Sequence, residues 1–201
     1  MARAGTRAAS LLASAAMPLP RPWTVVETEH LQDCRVFQVR RTLARSPNTG
    51  QVHPFFRIDS DEWVNVVALT CDREVVMVRQ WRHGSGTLSL EIPGGLVDPG
   101  EPPDRAALRE LREETGYGAG AVVPIGVLNP NPALFGNRVH TFLARDVVRL
   151  GEVENEGLEE TAVELIPVAE VEDRIRAGAI DHALVIAGLY WFALAEGRER
   201  R

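Results

Sequence analysis

The chain has 201 residues, 45% hydrophobic and 25% charged, with a formal net charge of −6. This is length for one well-buried core, or one core plus a small subdomain, in an ordinary soluble globular protein. The acidic balance disfavours general affinity for nucleic-acid backbone, and the longest apolar run, 183–195, is too short to span a membrane.

Residues 1–22 are rich in Ala and Arg and contain no acid. They read as a tail outside the fold, either disordered or preceding a true start at Met17, with a targeting peptide as the alternative. From Trp23 onward, runs 23–31, 35–43 and 52–58 carry β-branched and aromatic residues in partial alternation. With the turn Ser46-Pro47-Asn48-Thr49-Gly50 they predict a small β-rich element over 23–60. Segments 64–70 and 74–80 are strongly apolar and predict two central strands, joined as a hairpin through Cys71-Asp72-Arg73. Cys34 and Cys71 show no metal or redox spacing, and reduced core thiols are favoured over a disulfide.

Residues 88–92 lead into Pro93-Gly94-Gly95 and a helix over 102–115. Strands are expected at 121–128 and 138–148, separated by a long loop, 129–137. An acidic loop, 151–160, precedes a last strand at 162–167. Two helices follow, 168–177 and 181–196, with Asp181 as N-cap of the second. Strands with few helices predict a mixed α/β or α+β sheet domain with helices on its faces.

The helix over 102–115 carries the chemistry. Glu110, Glu113 and Glu114 recur at i, i+3 and i+4, so they share one face about a turn apart. Three carboxylates this close repel one another unless a cation neutralises them, and an all-oxygen set suits Mg²⁺ or Mn²⁺. Leu108, Leu111 and Thr115 fall roughly opposite, with Ala107 beside them, so one side can pack while the other stays open to metal and substrate. Pro102 and Pro103 suit a helix start, and Gly116 suits its end. Arg109, four residues before Glu113, can hold it by a charge-assisted hydrogen bond. A solvated surface helix rich in Glu and Arg is the bland alternative; it leaves the preceding glycine turn unexplained.

The run Gly95-x5-Glu101-x7-Arg109-Glu110-Leu111-x-Glu113-Glu114-x-Gly116-Tyr117 resembles a complete Nudix box, with every charged position filled. The flanks VNVVALTCDREVVMVRQWRHGSGTLSLEIPGGLVDPGE and NPNPALFGNRVHTFLARDV resemble the ADP-ribose and nucleotide-sugar diphosphatases of that family. The resemblance covers about 23–196 and implies a Nudix-type α/β/α sandwich with a mixed sheet over 61–198. It also implies that the 23–60 element pairs two subunits in a homodimer. The expected enzyme is cytoplasmic and metal-dependent, and splits ADP-ribose or a related nucleoside diphosphate sugar into NMP and sugar phosphate. Neither nucleic acid nor membrane is an expected partner.

The resemblance assigns Glu110 and Glu114 as ligands of Mg²⁺ or Mn²⁺, Glu113 as a further ligand or water binder, and the Gly94 carbonyl as completing the set. Glu101 and Arg109 would orient these groups. A later glutamate would act as base, Glu159 first and Glu160 second, although that acidic loop reads equally as solvated surface. Pro132, fifteen residues past Tyr117, sits where this group carries a proline.

All 22 basic residues are arginine, so cationic contact to phosphate falls to arginine or protonated histidine. Arg82 and Arg138 are the phosphate candidates; an ordinary surface ion pair is an equal reading for Arg82. Trp63 and Phe135 could stack on a nucleobase, with ordinary packing the commoner role for either singly. His140 and His182 are expected to be structural, and His83 is left open. Action on dinucleoside polyphosphates or capped RNA, and a non-catalytic nucleotide sensor, are the competing functions; the intact box counts against the sensor.

Overall fold

The computed structural model describes residues 19–155 and 160–199. Three strands open the chain: β1 (Thr24–Asp33), β2 (Gln38–Arg45) and β3 (Val52–Asp59), forming an antiparallel sheet of their own in the order β1-β2-β3. Next come β4 (Trp63–Ala68), β5 (Glu74–Arg82), β6 (Thr87–Glu91) and helix α1 (Pro103–Thr115). They are followed by β7 (Tyr117–Gly118), β8 (Val123–Leu128), β9 (Val139–Ala144), β10 (Val148–Arg149) and β11 (Thr161–Pro167). A 3₁₀ turn, Val168–Glu170, then leads to α2 (Val171–Arg176) and α3 (Ala183–Glu199).

Two three-stranded ladders, β11-β5-β6 and β4-β9-β8, make the central layer, and β4 runs parallel to β9. Alternation along β4 sends side chains to opposite faces. Val64, Val66 and Ala68 pack with Ala106, Ala107 and Leu111 of α1, while Val67 and Leu69 pack with Val185, Leu189 and Phe192 of α3. Each fully buried aliphatic side chain there contributes about 1.5–3 kcal/mol. The result is the expected α/β/α sandwich, with α1 alone on one face.

Several expectations change. The segments around Cys71 do not form a hairpin: β4 pairs with β9, β5 pairs with β6 and β11, and only a single bridge, Leu69 to Val75, joins the two. Periodicity identifies a buried strand but does not name its partner. Both cysteines are free thiols, yet Cys71 is exposed and Cys34 half-buried, so neither is a core thiol. Both sit outside the strands; Cys71 lies in the turn that ends in Arg73, whose φ is +61°. The strand expected at 138–148 stops at Ala144 because Asp146 adopts a φ of +53°; the chain resumes as β10, paired with β7. The 168–177 helix begins as a 3₁₀ turn. Asp181 does not cap α3: the helix starts at Ala183, and the His182 Nδ1 accepts the Leu184 N–H at 3.2 Å.

The N-terminal sheet leaves every residue of β1 exposed, and Trp23, Val25, Val26, Phe55 and Phe56 present apolar surface. It joins the sandwich where the Ile58 N–H donates to the Leu134 carbonyl at 2.8 Å. Among the described residues, no helix is long and apolar enough to cross a membrane.

The far end of α3 is tied down by charge. Glu196 accepts from Arg73 at 2.8 Å and from Arg145 at 2.9 Å. The Arg73 hydrogen bond, with Arg145 in support, holds the Glu196 carboxyl below its ordinary value of 4.5. The folded state thus favours the charged form, and its contribution is complete above the unfolded value near 4.5. It is lost as pH falls through the lower, folded value. Glu196→Gln is expected to lower Tm at pH 7 and to narrow its gap from the parent at pH 3, measured by thermal melts at both.

Candidate active site

Helix α1 begins with Pro102 as an extended N-cap and Pro103 at the first helical position, where a missing N–H is harmless. It ends at Gly116 in the left-handed region, φ +72°, with the Gly116 N–H on the Arg112 carbonyl. A side chain there would also strike the Gly151 carbonyl at 2.3 Å, so glycine is required twice over.

The segment entering the helix is zipped against β4. Val64 donates to the Gly95 carbonyl at 2.9 Å, Gly95 to the Val64 carbonyl at 3.1 Å, and Val66 to the Pro93 carbonyl at 2.9 Å. A Cβ on Gly94 would lie 2.3 Å from the Val64 carbonyl oxygen; one on Gly95 would lie 2.4 Å from Glu110 Oε1. The two glycines therefore let β4 and the helix carboxylates approach this turn from opposite sides.

The box carboxylates are gathered here; Glu110 and Glu114 are buried, and Glu101 and Glu113 half-buried. Glu110 is 9% exposed and Glu114 is 3% exposed. Ala106 joins Ala107, Leu111 and Thr115 in the packing stripe, while Leu108 is only half-buried. The stripe and the glutamates thus lie closer round the helix than a two-sided wheel suggests. Glu114 Oε2 accepts the Gly94 N–H at 2.9 Å.

Arg109 is the hub. It donates to Glu110 Oε1 at 2.9 Å, Glu113 Oε2 at 3.1 Å, both Glu101 oxygens at 3.2 and 3.0 Å, and the Leu96 carbonyl at 3.0 Å. Glu101, by its hydrogen bond, and then Glu110 and Glu113 push the Arg109 pKa up, so it is permanently charged. Reciprocally, Arg109 holds the Glu101 carboxyl below its ordinary value. Three carboxylates thus lean on one guanidinium, with Glu114 beside them. Among the described residues no three acidic, His or Cys side chains are arranged as a ready-made metal cage; Glu110 and Glu113 are turned onto Arg109 and Glu114 onto Gly94. The donor set is nonetheless all oxygen, anionic and partly desolvated, which fits a hard divalent cation.

The last turn of α1 is capped by residues from the loop before β11 and from β11 itself. Glu154 N–H donates to the Glu113 carbonyl at 2.8 Å, and Thr161 Oγ1 donates to the Glu114 carbonyl at 2.8 Å. Thr161 Oγ1 also lies 2.9 Å from the Asn155 side-chain amide. A hydroxyl has one proton, so with that proton on Glu114, Asn155 must present its NH₂ to Thr161. Thr161→Val is expected to destabilise the protein by about 1–3 kcal/mol and to lower kcat about tenfold. Denaturant melts and steady-state rates check this, and Thr161→Ser should restore both. Glu160, exposed, adjoins Thr161 and so sits beside this helix end; Glu159 lies outside the described residues.

The strand register places Arg82 on the same side of the sheet. Thr161 pairs with Gln80, which pairs with Ser89; Val78 pairs with Glu91, and Arg82 with Thr87. Alternate residues share a face, so Gln80, Arg82, Ser89 and Glu91 lie on the face from which Thr161 reaches α1. Arg82 grips Glu91 by two hydrogen bonds, Nε to Oε1 at 2.7 Å and Nη2 to Oε2 at 2.6 Å. Burial pushes the Glu91 carboxyl up, but Arg82, with His182 and Ser89 in support, more than offsets it, and the net shift is downward. Glu91, Thr161 and Asn155 escaped the sequence reading; an acid inside the apolar run Leu88–Ile92 was the available signal for the first.

Trp63 and Phe135 meet with ring centroids 5.6 Å apart at 60°. Trp63 donates its N–H to the Arg138 carbonyl at 2.9 Å and bridges to Leu96 next to the glycine turn. The aromatic pair thus lies alongside the turn. Pro132 and Arg138 are exposed on the same loop, and the Arg138 guanidinium makes no ion pair among the described residues. Pro132 starts the turn that returns Leu134 and Phe135 to the Asn131 carbonyl. His140 pairs with Glu62, the His182 ring accepts from the first turn of α3, and His83 is exposed.

A sandwich with one helix seated on a glycine turn, its glutamates gathered by an arginine, defines the class of fold and site. The family profile described as the NUDIX domain matches residues 61–188, and the chain belongs to the Nudix family. An ADP-ribose pyrophosphatase of Mycobacterium tuberculosis is 32% identical over 82% of this chain and 80% of its own length. One of Bacillus subtilis is 36% identical over 59% of this chain and 70% of its own. A solved structure, described as an ADP compounds hydrolase, superposes with a TM-score of 0.80 at 24% identity. It covers 92% of this chain and 100% of that one, and bears on the fold alone.

Proposed function

We propose that this protein hydrolyses the diphosphate linkage of ADP-ribose or a related nucleoside diphosphate sugar, giving NMP and sugar phosphate. The observation that carries the reading is the set Glu110, Glu113 and Glu114, gathered by Arg109 under the Gly94-Gly95 turn. The relatives named ADP-ribose pyrophosphatase support the substrate class.

Glu110, Glu113, Glu114 and the Gly94 carbonyl would hold Mg²⁺ or Mn²⁺. When bound, the ion neutralises diphosphate charge and activates water. The chain's own residues do the rest. Arg109 and Glu101 hold the carboxylates in place. Arg82 and Arg138 bind the phosphates, and the Trp63–Phe135 pair with Pro132 walls the side where the nucleoside lies. Glu160 or Glu159 takes the proton from the attacking water. The exposed apolar surface of the N-terminal sheet, residues 23–60, supports a homodimer built through it. The proposed compartment for the reaction is the cytoplasm.

The sugar is read from kcat/KM values for ADP-ribose, ADP-glucose, GDP-mannose and UDP-glucose. The expected result ranks ADP-ribose first. Preference for a dinucleoside polyphosphate over all four would overturn the substrate class.

A further inference from the structure

Glu91 lies outside the box and is 3% exposed. A carboxylate so deeply buried is unfavourable unless it is paired, and the fork of Arg82 grips both of its oxygens. The pair is lopsided: the Arg82 side chain is 42% exposed and that of Glu91 4%. Glu91 is also the last residue of β6, three positions before Gly94, whose N–H is bonded to Glu114. A short route thus runs from Arg82 through Glu91 and the glycine turn to the box carboxylates.

We infer that Glu91 is a positioning residue for substrate: by gripping the Nε–Nη2 edge of Arg82, it fixes the direction in which the rest of that guanidinium meets the diphosphate. The inference rests on the proposal that Arg82 contacts the phosphates. A guanidinium is planar, so holding one edge sets the plane and bearing of the others. A free arginine at the end of a strand would have to be ordered on each binding event; a pre-set one has already lost that freedom. Glu91 is not needed to close the β5–β6 ladder, which pairs from Val78–Glu91 to Arg82–Thr87 through its backbone. A purely structural pair would therefore show in Tm and leave KM alone.

The test is a double-mutant cycle on ADP-ribose hydrolysis with saturating Mg²⁺, using Arg82→Gln, Glu91→Gln and both together. Arg82→Gln is expected to raise KM about tenfold. Glu91→Gln should raise KM to a similar extent with kcat within about twofold, and the double variant should be no worse than Arg82→Gln. Glu91→Asp, which keeps the charge but shortens the reach, should also raise KM, and it carries the test should Glu91→Gln fail to fold. A KM rise in Arg82→Gln with none in either Glu91 variant would overturn the positioning role. So would effects that multiply in the double variant. No KM change in Arg82→Gln would instead overturn the Arg82 contact itself, and the inference with it.

Discussion

Glu114→Gln is expected to lower kcat on ADP-ribose by about a thousandfold while the protein stays folded. Glu114 is 3% exposed and its carboxylate meets the Gly94 N–H. Glutamine has the same shape and can still accept that hydrogen bond, so the turn keeps its geometry. What is lost is one unit of negative charge at the point where a divalent ion must be neutralised. The packing stripe Ala106, Ala107 and Leu111 is untouched, so Tm without metal should fall little or even rise, because a crowded carboxylate has gone. Steady-state rates, with melts in the presence and absence of Mg²⁺, separate the two effects. Full activity in the variant would remove Glu114 from the metal site.

Arg109→Gln is expected to act on stability and activity together. The Arg109 guanidinium makes five hydrogen bonds, to Glu101, Glu110, Glu113 and the Leu96 carbonyl. Removing it leaves carboxylates facing one another in a partly desolvated space, at about 3–5 kcal/mol. A divalent cation can replace the missing charge, so Mg²⁺ should raise Tm more in Arg109→Gln than in the parent. Arg109→Lys keeps the charge but loses the fork, and should recover only part of the loss. Equal Mg²⁺ shifts in parent and variant would show that Arg109 does not share its carboxylates with a metal.

How far these residues were legible in the sequence depends on what each signal encodes. The box was legible because it consists of identities at fixed offsets, and helix geometry alone puts Glu110, Glu113 and Glu114 together. The helix limits were also local: two prolines at one end and a left-handed glycine at the other hold it to Pro103–Thr115. The burial of Glu110 and Glu114 was not legible, because it is imposed by β4 and the glycine turn, which pack against the helix from elsewhere in the chain. The same holds for strand partners: the apolar runs flanking Cys71 predict buried strands, but their hydrogen bonds go to β9, β6 and β11. Thr161 stands 47 residues from the helix carbonyl it caps, and Glu91 meets Arg82 across two paired strands; only the sheet register aligns them. Asp181 was a sound N-cap by propensity, but His182 next to it makes the contact. A cap preference does not distinguish neighbouring residues when tertiary packing decides where the helix begins.

The central claim is that the α1 carboxylates form a divalent-metal site that hydrolyses a nucleoside diphosphate sugar. The most direct test incubates the purified protein with ADP-ribose, with and without Mg²⁺ or Mn²⁺, and resolves the products by anion exchange. The prediction is equal amounts of AMP and ribose 5-phosphate, formed only when metal is present. Unchanged ADP-ribose in a folded protein shown by calorimetry to bind Mn²⁺, or turnover undiminished by EDTA, would contradict it.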